Sequence, residues 1–142
     1  MNTVTSSWSV ATPSAGGQVS PNSKQWNTAY DIWLDNYSTE VMVWNNWTAN
    51  WQYWYGVYHG VDVTIDGVAY HAYYDGSDVM WFVRAGVANS GTVNLKAILQ
   101  WAVGQGWLQN NQRINQIEYG FEVMYTGTPT RFDLINYSLT AN

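Results

Sequence analysis

The sequence of 142 residues contains no cysteine and only two histidines. Without cysteine the chain forms no disulfide, uses no thiolate nucleophile and offers no sulfur ligand to zinc. The histidines, His59 and His71, stand 12 positions apart, without the i, i+4 spacing that puts two imidazoles on one helix face. We therefore predict neither a metal site nor a cofactor.

Charge is scarce as well, at 11% of residues with a net charge of −5. Nucleic-acid binding needs clustered positive charge, whereas the basic residues are scattered: Lys24, Arg84, Lys96, Arg113 and Arg131. No apolar run approaches the ~18–20 residues of a membrane span, and the first residues do not resemble a secretion signal. We predict no nucleic-acid or membrane partner, and leave open a cytoplasmic protein or a mature secreted form.

Aromatic residues are abundant by contrast, at 17% of the chain, with 10 Trp and 11 Tyr. A core of this size does not need so many, because buried Trp and Tyr usually require a polar partner for the N–H or O–H group. Some of these rings are therefore expected at the surface, where they bind a flat ligand. The length suits a single domain spanning residues 1–142.

The order of elements predicts an all-β domain. Residues 1–25 suggest one strand around Val4–Val10 followed by a Ser/Gly/Pro-rich loop, and residues 26–142 carry the recurring motifs. Strand-like runs separated by turn signals are expected at 29–35, 40–47, 52–59, 61–75, 78–86, 114–126 and 130–140. Asp66-Gly67 is typical of a two-residue hairpin turn inside the fourth of these runs.

One segment departs from the period of two. Between Thr92 and Trp107 the apolar residues recur at helical spacing, at Leu95, Ile98, Leu99, Ala102 and Val103. Thr92 or Asn94 is expected to cap the start of this helix, and Gly104 or Gly106 its end. The pattern predicts a single helix packed on the outside of a sheet.

The tripeptide "EVM" occurs twice, at Glu40 and at Glu122, in a chain with only three glutamates. Because alternate residues of a strand point the same way, Glu40, Met42 and Trp44 share one face, and so do Glu122 and Met124. The opposite faces, with Val41 and Val43 in one copy and Phe121, Val123 and Tyr125 in the other, are expected in the core. The same alternation puts Asp31, Trp33 and Asp35 on one face.

Two carboxyl groups facing each other across a groove are what glycoside hydrolysis requires, and aromatic rings suit the C–H faces of sugars. A glutamate on the solvated face of a strand is also common, so spacing alone does not decide between the two. Because apolar residues flank the second copy, and the first copy already carries a charge, we expect the raised carboxyl pKa in the second copy.

The motifs "NTAYDIWLD", "EVMVWNNW", "SGTVNLKAILQWAVGQGWL" and "INQIEYGFEVMYTG" occur in the same order as in glycoside hydrolase family 12. From about Trp26 to the C-terminus the chain resembles these compact endoglucanases and xyloglucanases. The resemblance implies a jelly-roll β-sandwich with one helix on its outer sheet and an open cleft for a β-1,4-glucan. It also implies endo-acting hydrolysis with retention of configuration.

Carried over by motif, the resemblance assigns Glu40 as the nucleophile and Glu122 as the general acid/base. Asp31, from the A-Y-D strand, would support the nucleophile. It also implies that Asn27 contacts the substrate and that Trp44 lines the cleft beside Met42. Trp33 and Met124 are further candidate substrate contacts because they share faces with the carboxylates. Glu118 matches no role in the family and is expected to be a solvated or structural carboxylate.

The chain departs from the family pattern in three places. Strands that precede the point matching Met1 are missing, the loop before Glu40 is only "NYST", and "NWTANWQYWYG" replaces a proline-containing segment. The missing strands would expose sheet edges and allow self-association.

Alternatives therefore stay open: a non-catalytic carbohydrate-binding β-sandwich, an incomplete and inactive fragment of such an enzyme, or a structural β-sandwich. The resemblance implies secretion, and leaves cellulose, mixed-linkage glucan and xyloglucan as candidate substrates.

Overall fold

The computed structural model describes residues 3–13, 25–48 and 59–142. The strands are β1 (Val4–Ala11), β2 (Gln25–Leu34), β3 (Thr39–Trp47), β4 (His59–Ile65), β5 (Val68–Tyr74), β6 (Val79–Arg84), β7 (Ser90–Asn94), β8 (Ile114–Tyr125) and β9 (Asp133–Ala141). One helix, α1 (Leu95–Gly104), follows β7 within the described residues. The predicted all-β class with a helix is confirmed, although the short strand β7 was not expected.

The described strands form two sheets. A six-stranded sheet has the order β4-β5-β6-β3-β2-β8, and a three-stranded sheet has the order β7-β1-β9. Neighbouring strands are antiparallel, except that β3 and β6 run parallel. This arrangement is a β-sandwich whose larger sheet keeps one face inside and turns the other outward.

The inner face of the larger sheet follows from the period of two. Ile32, Val41, Val43 and Phe82 have no exposed surface and join one core with Trp8 of the smaller sheet. Each large side chain removed from water in this way stabilises the fold by roughly 1.5–3 kcal/mol. The expectation that Val41 and Val43 face the core is therefore confirmed.

The helix covers the rest of that inner face. Its buried residues are Leu95, Ile98 and Ala102, and the Trp101 ring packs edge-on against Phe82 of β6 with ring centroids 5.6 Å apart. Asn94, one of the two predicted caps, caps the start of the helix: its side chain accepts a hydrogen bond from the Ala97 N–H.

The end of the helix is closed by a glycine in the left-handed region. Gly106, with φ of 75°, and Trp107 donate backbone hydrogen bonds to Val103 and Ala102. This pattern is a Schellman motif, so the second of the two predicted terminal glycines is the one that ends the helix.

Two turns position the strands of the larger sheet. Asp66 and Gly67 have φ of 50° and 79° and join Ile65 to Val68, so the predicted two-residue hairpin is confirmed. Asp35 was expected to share a strand face with Asp31, but it starts the turn after β2, with φ of 48°. Its carboxylate accepts a hydrogen bond from the Arg113 backbone N–H, which ties the turn to the start of β8.

Some expectations fall outside the described residues. These are most of the loop in residues 1–25, most of the strand expected at 52–59, and the part of the segment "NWTANWQYWYG" that follows residue 48. No helix in the described part of the chain is long and apolar enough to span a bilayer.

The open side of the sandwich is formed by β8 and β9, which are edge strands of the two described sheets. Tyr119 of β8 stacks on Tyr137 of β9, with centroids 6.1 Å apart and planes 9° apart, so the two edges lie against each other. The large exposed apolar residues on these strands are Ile114, Val123, Tyr125, Leu134, Ile135 and Leu139. Unpaired backbone groups beside exposed apolar side chains favour pairing with another chain.

We expect this edge to drive self-association at high protein concentration. Replacing Ile135, which is 65% exposed, with lysine should shift sedimentation velocity profiles toward the monomer. The matched control is Val87→Lys, in the segment between β6 and β7, which should leave the profile unchanged. Equal effects of the two variants would contradict association through this edge.

Candidate active site

Strand pairing brings the predicted carboxylates to the outward face of the larger sheet. On β2, Asp31 lies opposite Met42 of β3 on one side and opposite Glu118 of β8 on the other. Glu40 lies opposite Trp33, one pleat along the sheet from Asp31. Directly opposite and diagonal side chains of neighbouring strands are within reach of each other. The two copies of the tripeptide, 82 positions apart in sequence, therefore flank one central strand.

These residues surround an open cavity of about 560 Å³. This volume is within the usual range of small-molecule sites. Its lining consists of Asn27, Ala29, Asp31, Glu40, Met42, Glu118, Tyr119, Gly120, Phe121 and Glu122. Four carboxylic acids thus share one open cavity on the outward face of the sheet.

Asp31 and Glu40 form the most closely coupled pair in this cavity. Burial, the Asp31 charge and a hydrogen bond from one carboxyl group to the other raise the pKa of Glu40 to about 7. Burial is also the main reason that the pKa of Asp31 is raised. Two neighbouring, partly buried carboxyl groups cannot easily both ionise, so a single proton on the pair is favoured.

The surroundings of Asp31 support a shared proton. Its Oδ2 accepts a hydrogen bond from the Trp33 indole N–H at 3.1 Å. Its Oδ1 is buried and has no hydrogen-bond donor among the described residues. A buried acceptor left unsatisfied is costly, so a proton shared with Glu40 is the arrangement that satisfies it. A raised carboxyl pKa was expected in the second copy of the tripeptide, whereas the structure shows one in the first.

This pair predicts how stability depends on pH. Because the folded-state pKa of Glu40 is raised, its protonated form stabilises the fold at low pH, and this contribution is lost as pH rises from about 4.5 to about 7. Glu40→Gln keeps the shape of the side chain but cannot ionise, so the variant does not lose this stability as pH rises. We expect the variant to gain about 1 kcal/mol over the native protein between pH 4 and pH 8, a full shift being discounted because Glu40 is half-exposed.

Thermal melts across this pH range would measure the effect, which corresponds to roughly 3 °C. Asp66→Asn, which removes a carboxylate in the hairpin turn between β4 and β5, outside the cavity lining, serves as the control. Melting curves of Glu40→Gln that run parallel to those of the native protein at every pH would contradict the shared proton.

Glu122 is positioned by a different contact. The Asn27 side-chain amide, which is fully buried, donates a hydrogen bond of 2.5 Å to Glu122 Oε2. Asn27 and Glu122 are also opposite each other in the ladder between β2 and β8. The contact holds one carboxylate oxygen, Oε2, of a residue that lines the open cavity. In the described structure the Asn27 amide therefore orients Glu122.

The other predicted contact residues are not all at the cavity. Met42 lines it, and Trp33 is half-buried beside Asp31. Trp44 lies on the predicted face but is only 2% exposed, in a buried cluster with Ala29, Trp47, Trp81 and Val83. Met124 is half-buried near the end of β8, outside the lining. The roles of Trp33, Trp44 and Met124 in substrate binding stay predictions.

The expected core face of the second copy is only partly correct. Phe121 is half-buried and packs against the core, but Val123 and Tyr125 are 47% and 57% exposed. The reason is tertiary: β8 is an edge strand, with a neighbouring strand on one side only in the described sheet.

Glu118 is the functional candidate that the sequence missed. It was expected to be a solvated or structural carboxylate, and it is exposed, but it also lines the cavity opposite Asp31. Its spacing from Glu122, at four residues in one strand, already puts the two on one face. Which partner it meets on β2 depends on the register, and the sequence does not reveal that register.

Within residues 3–13, 25–48 and 59–142, no three His, Asp or Glu side chains are arranged to hold a metal ion. The carboxyl groups that line the cavity can donate a proton, accept a proton or act as a nucleophile. Glu122 on β8, which is oriented by an amide, lines the same cavity as the coupled carboxyl groups of Asp31 on β2 and Glu40 on β3.

The fold is similar to that of solved glycoside hydrolases. The xyloglucanase domain of NopAA from Sinorhizobium fredii, determined in complex with cellobiose, is 27% identical with a TM-score of 0.80, covering 100% of this chain and 68% of that chain. A family 12 xyloglucanase from Bacillus licheniformis is 23% identical with a TM-score of 0.76, covering 97% and 62%. The endoglucanase cel12A from Rhodothermus marinus is 25% identical with a TM-score of 0.72, covering 99% and 63%.

The resemblance to glycoside hydrolase family 12 is thereby confirmed, and the chain has the jelly-roll fold of that family. No protein-family model and no curated protein matches the sequence, so the similarity is carried by structure. The chain spans about two-thirds of the length of these neighbours, from 61% to 68%. The neighbours support glycosidase chemistry as the class of activity.

Proposed function

We propose that this chain hydrolyses β-1,4-glucan chains internally, with retention of configuration at the anomeric carbon. One observation carries the proposal: Glu40, Asp31 and Glu122 surround a single open cavity on the outward face of a family 12 fold. A solved neighbour supports it, because the NopAA xyloglucanase domain was determined in complex with cellobiose, a β-1,4-linked glucose disaccharide. Cellulose, mixed-linkage glucan and xyloglucan are the candidate polymers.

The first step uses the two copies of the tripeptide in different roles. With the shared proton on Asp31, Glu40 is ionised and attacks the anomeric carbon, while protonated Glu122 donates its proton to the departing glycosidic oxygen. The result is a glycosyl ester on Glu40 and a free hydroxyl on the leaving sugar. The amide of Asn27 holds Glu122 Oε2, so that Oε1 is the oxygen that delivers the proton.

The second step reverses these roles. Glu122, now ionised, accepts a proton from water as that water attacks the same anomeric carbon, and Glu40 leaves as a carboxylate. Two inversions give net retention. A retaining mechanism requires the carboxyl groups of Glu40 and Glu122 to be about 5–5.5 Å apart.

The decisive experiment follows both new chain ends and their configuration. The protein is incubated with barley β-glucan, xyloglucan or carboxymethylcellulose, and reducing ends are assayed beside a Glu40→Gln/Glu122→Gln double variant as the inactive control. Proton NMR of the first products should show the β-anomer before mutarotation. A first product in the α-form would contradict the retaining mechanism.

A non-catalytic carbohydrate-binding β-sandwich is the second candidate. This chain spans 61–68% of the length of the solved neighbours, and an open cavity lined by carboxyl groups and Met42 can bind a sugar without cleaving it. Retardation of the protein in a polysaccharide affinity gel, without new reducing ends on any of the three glucans, would decide for this alternative.

An extracellular location belongs to the same proposal. β-Glucan polymers are too large to enter cells. An enzyme that cleaves the internal bonds of such a polymer therefore acts outside the cell. Detecting the native protein in culture medium rather than in the cell fraction of its source would test this point.

A further inference from the structure

Glu118 occupies a defined place in the candidate active site. It lies directly opposite Asp31 in the antiparallel ladder between β2 and β8, and it lines the same cavity. The Gln116 side-chain amide donates a short hydrogen bond to Glu118 Oε1, which holds the carboxylate in place. Side chains directly opposite each other in such a ladder have Cβ atoms about 4.5–5.5 Å apart.

The single proton of the pair can be on Asp31 or on Glu40, and the two forms differ in reactivity. Only the form with the proton on Asp31 leaves Glu40 ionised and able to attack. The Trp33 N–H donates to Asp31 Oδ2, and a hydrogen bond from the Glu40 carboxyl group acts in the same direction, so both favour the ionised form of Asp31, which is the wrong form for attack. Something else has to oppose these hydrogen bonds.

The charges around the pair are unequally distributed. Asp31 faces Glu40 from β3 and both Glu118 and Glu122 from β8. Glu40 faces Asp31 from β2, Glu122 from β8, and Asp78 from the segment before β6. Glu122 acts on both members, so the two charges that distinguish them are Glu118 on the Asp31 side and Asp78 on the Glu40 side.

We infer that Glu118 is a positioning residue for the shared proton: its carboxylate, directly opposite Asp31, draws that proton from Glu40 toward Asp31 and so raises the fraction of Glu40 that is ionised. A negative charge stabilises a neighbouring protonated carboxyl relative to an ionised one. The inference rests on the proposed role of Glu40 as nucleophile. It adds a third glutamate to the site, acting through Asp31 and without contact to the reacting atoms.

The test is a pair of charge-neutralising variants with opposite expected effects. Glu118→Gln keeps the shape and removes the charge beside Asp31, so the proton should move toward Glu40. Asp78→Asn removes a charge on the other side, so the proton should move toward Asp31. Carbon-13 NMR of the side-chain carboxyl groups, followed from pH 4 to pH 9 at low salt, reports which member of the pair is protonated.

The expected change is a roughly two- to five-fold shift in the ratio of the two protonated forms, because Glu118 is exposed and partly screened. Shifts of the same sign in both variants, or no shift in Glu118→Gln, would overturn the inference. Melting temperatures of the variants at pH 4 establish that each is folded. This arm requires no catalysis, so it decides the role of Glu118 even if no glucan is hydrolysed.

Kinetics supply a second arm that a purely structural role would not reproduce. At low salt Glu118→Gln should lower kcat roughly two- to five-fold with KM unchanged, because a smaller fraction of the bound enzyme has Glu40 ionised. Raising the salt concentration should lower the kcat of the native protein toward that of the variant. Glu118→Asp, which keeps the charge, should retain most of the native kcat. Failure of every variant and of the native protein to release reducing ends refutes the proposed function instead.

Discussion

Replacing Glu122 with alanine is expected to slow the hydrolysis of β-glucan by roughly 10²–10⁴-fold, the usual contribution of a positioned acid/base. Natural glucans have poor leaving groups and need a proton on the glycosidic oxygen. An aryl glycoside with an acidic phenol as leaving group does not need it, so its first step should be nearly unaffected. Comparison of the pre-steady-state release of the phenol with reducing-end formation from barley β-glucan measures the difference.

The matched control is Glu118→Ala, which removes the same side chain from the same strand four positions earlier. It should lower both rates only a few-fold, by the indirect effect on Glu40. Equal losses on the polymer and on the aryl glycoside in Glu122→Ala would show that Glu122 is not the proton donor.

Replacing Glu40 with glutamine should abolish turnover, with a loss on the order of 10⁴-fold or more, as for other residues that form the covalent intermediate. The amide has the shape of the carboxyl and can still donate to Asp31, so the loss reports the missing nucleophile. In contrast to Glu122→Ala, the loss should be as large on the aryl glycoside as on the polymer, because every substrate requires the attack.

Mass spectrometry gives an independent measure of the same step. A slowly hydrolysed 2-fluoro glycoside with a good leaving group should add one glycosyl mass to the native protein, on the peptide that carries Glu40. Glu40→Gln should show no added mass, and Glu118→Gln should still become labelled. A label on the peptide with Asp31 or on that with Glu122 would contradict the assignment of the nucleophile.

The alternation along the strands could be predicted because it is local. A period of two in β2 and β3 places Asp31 with Trp33, and Glu40 with Met42, opposite Ile32 and Val43, and no distant partner is needed to establish it. The helix and its caps were predictable for the same reason, since the apolar spacing and Asn94 lie within one short segment.

The edge strands show where local reasoning fails. The alternation in β8 is regular, yet Val123 and Tyr125 are exposed because no described strand or helix covers that end of the sheet. Burial depends on what packs against a face, and a single strand carries no information about its neighbours. Trp44 shows the converse: its ring was expected to line an open cleft, but the residue is only 2% exposed.

The sequence by itself determined the fold class, the helix and the two carboxylate-bearing strand faces, because spacing along a strand or helix dictates which side chains share a direction. Only the tertiary structure decided that β2 lies between β3 and β8, and therefore that Glu118 stands opposite Asp31 while Asn27 holds Glu122. The physical reason is that strand order and register arise from packing between segments far apart in sequence. A shift of one residue in that register would move every one of these carboxylates to the other face.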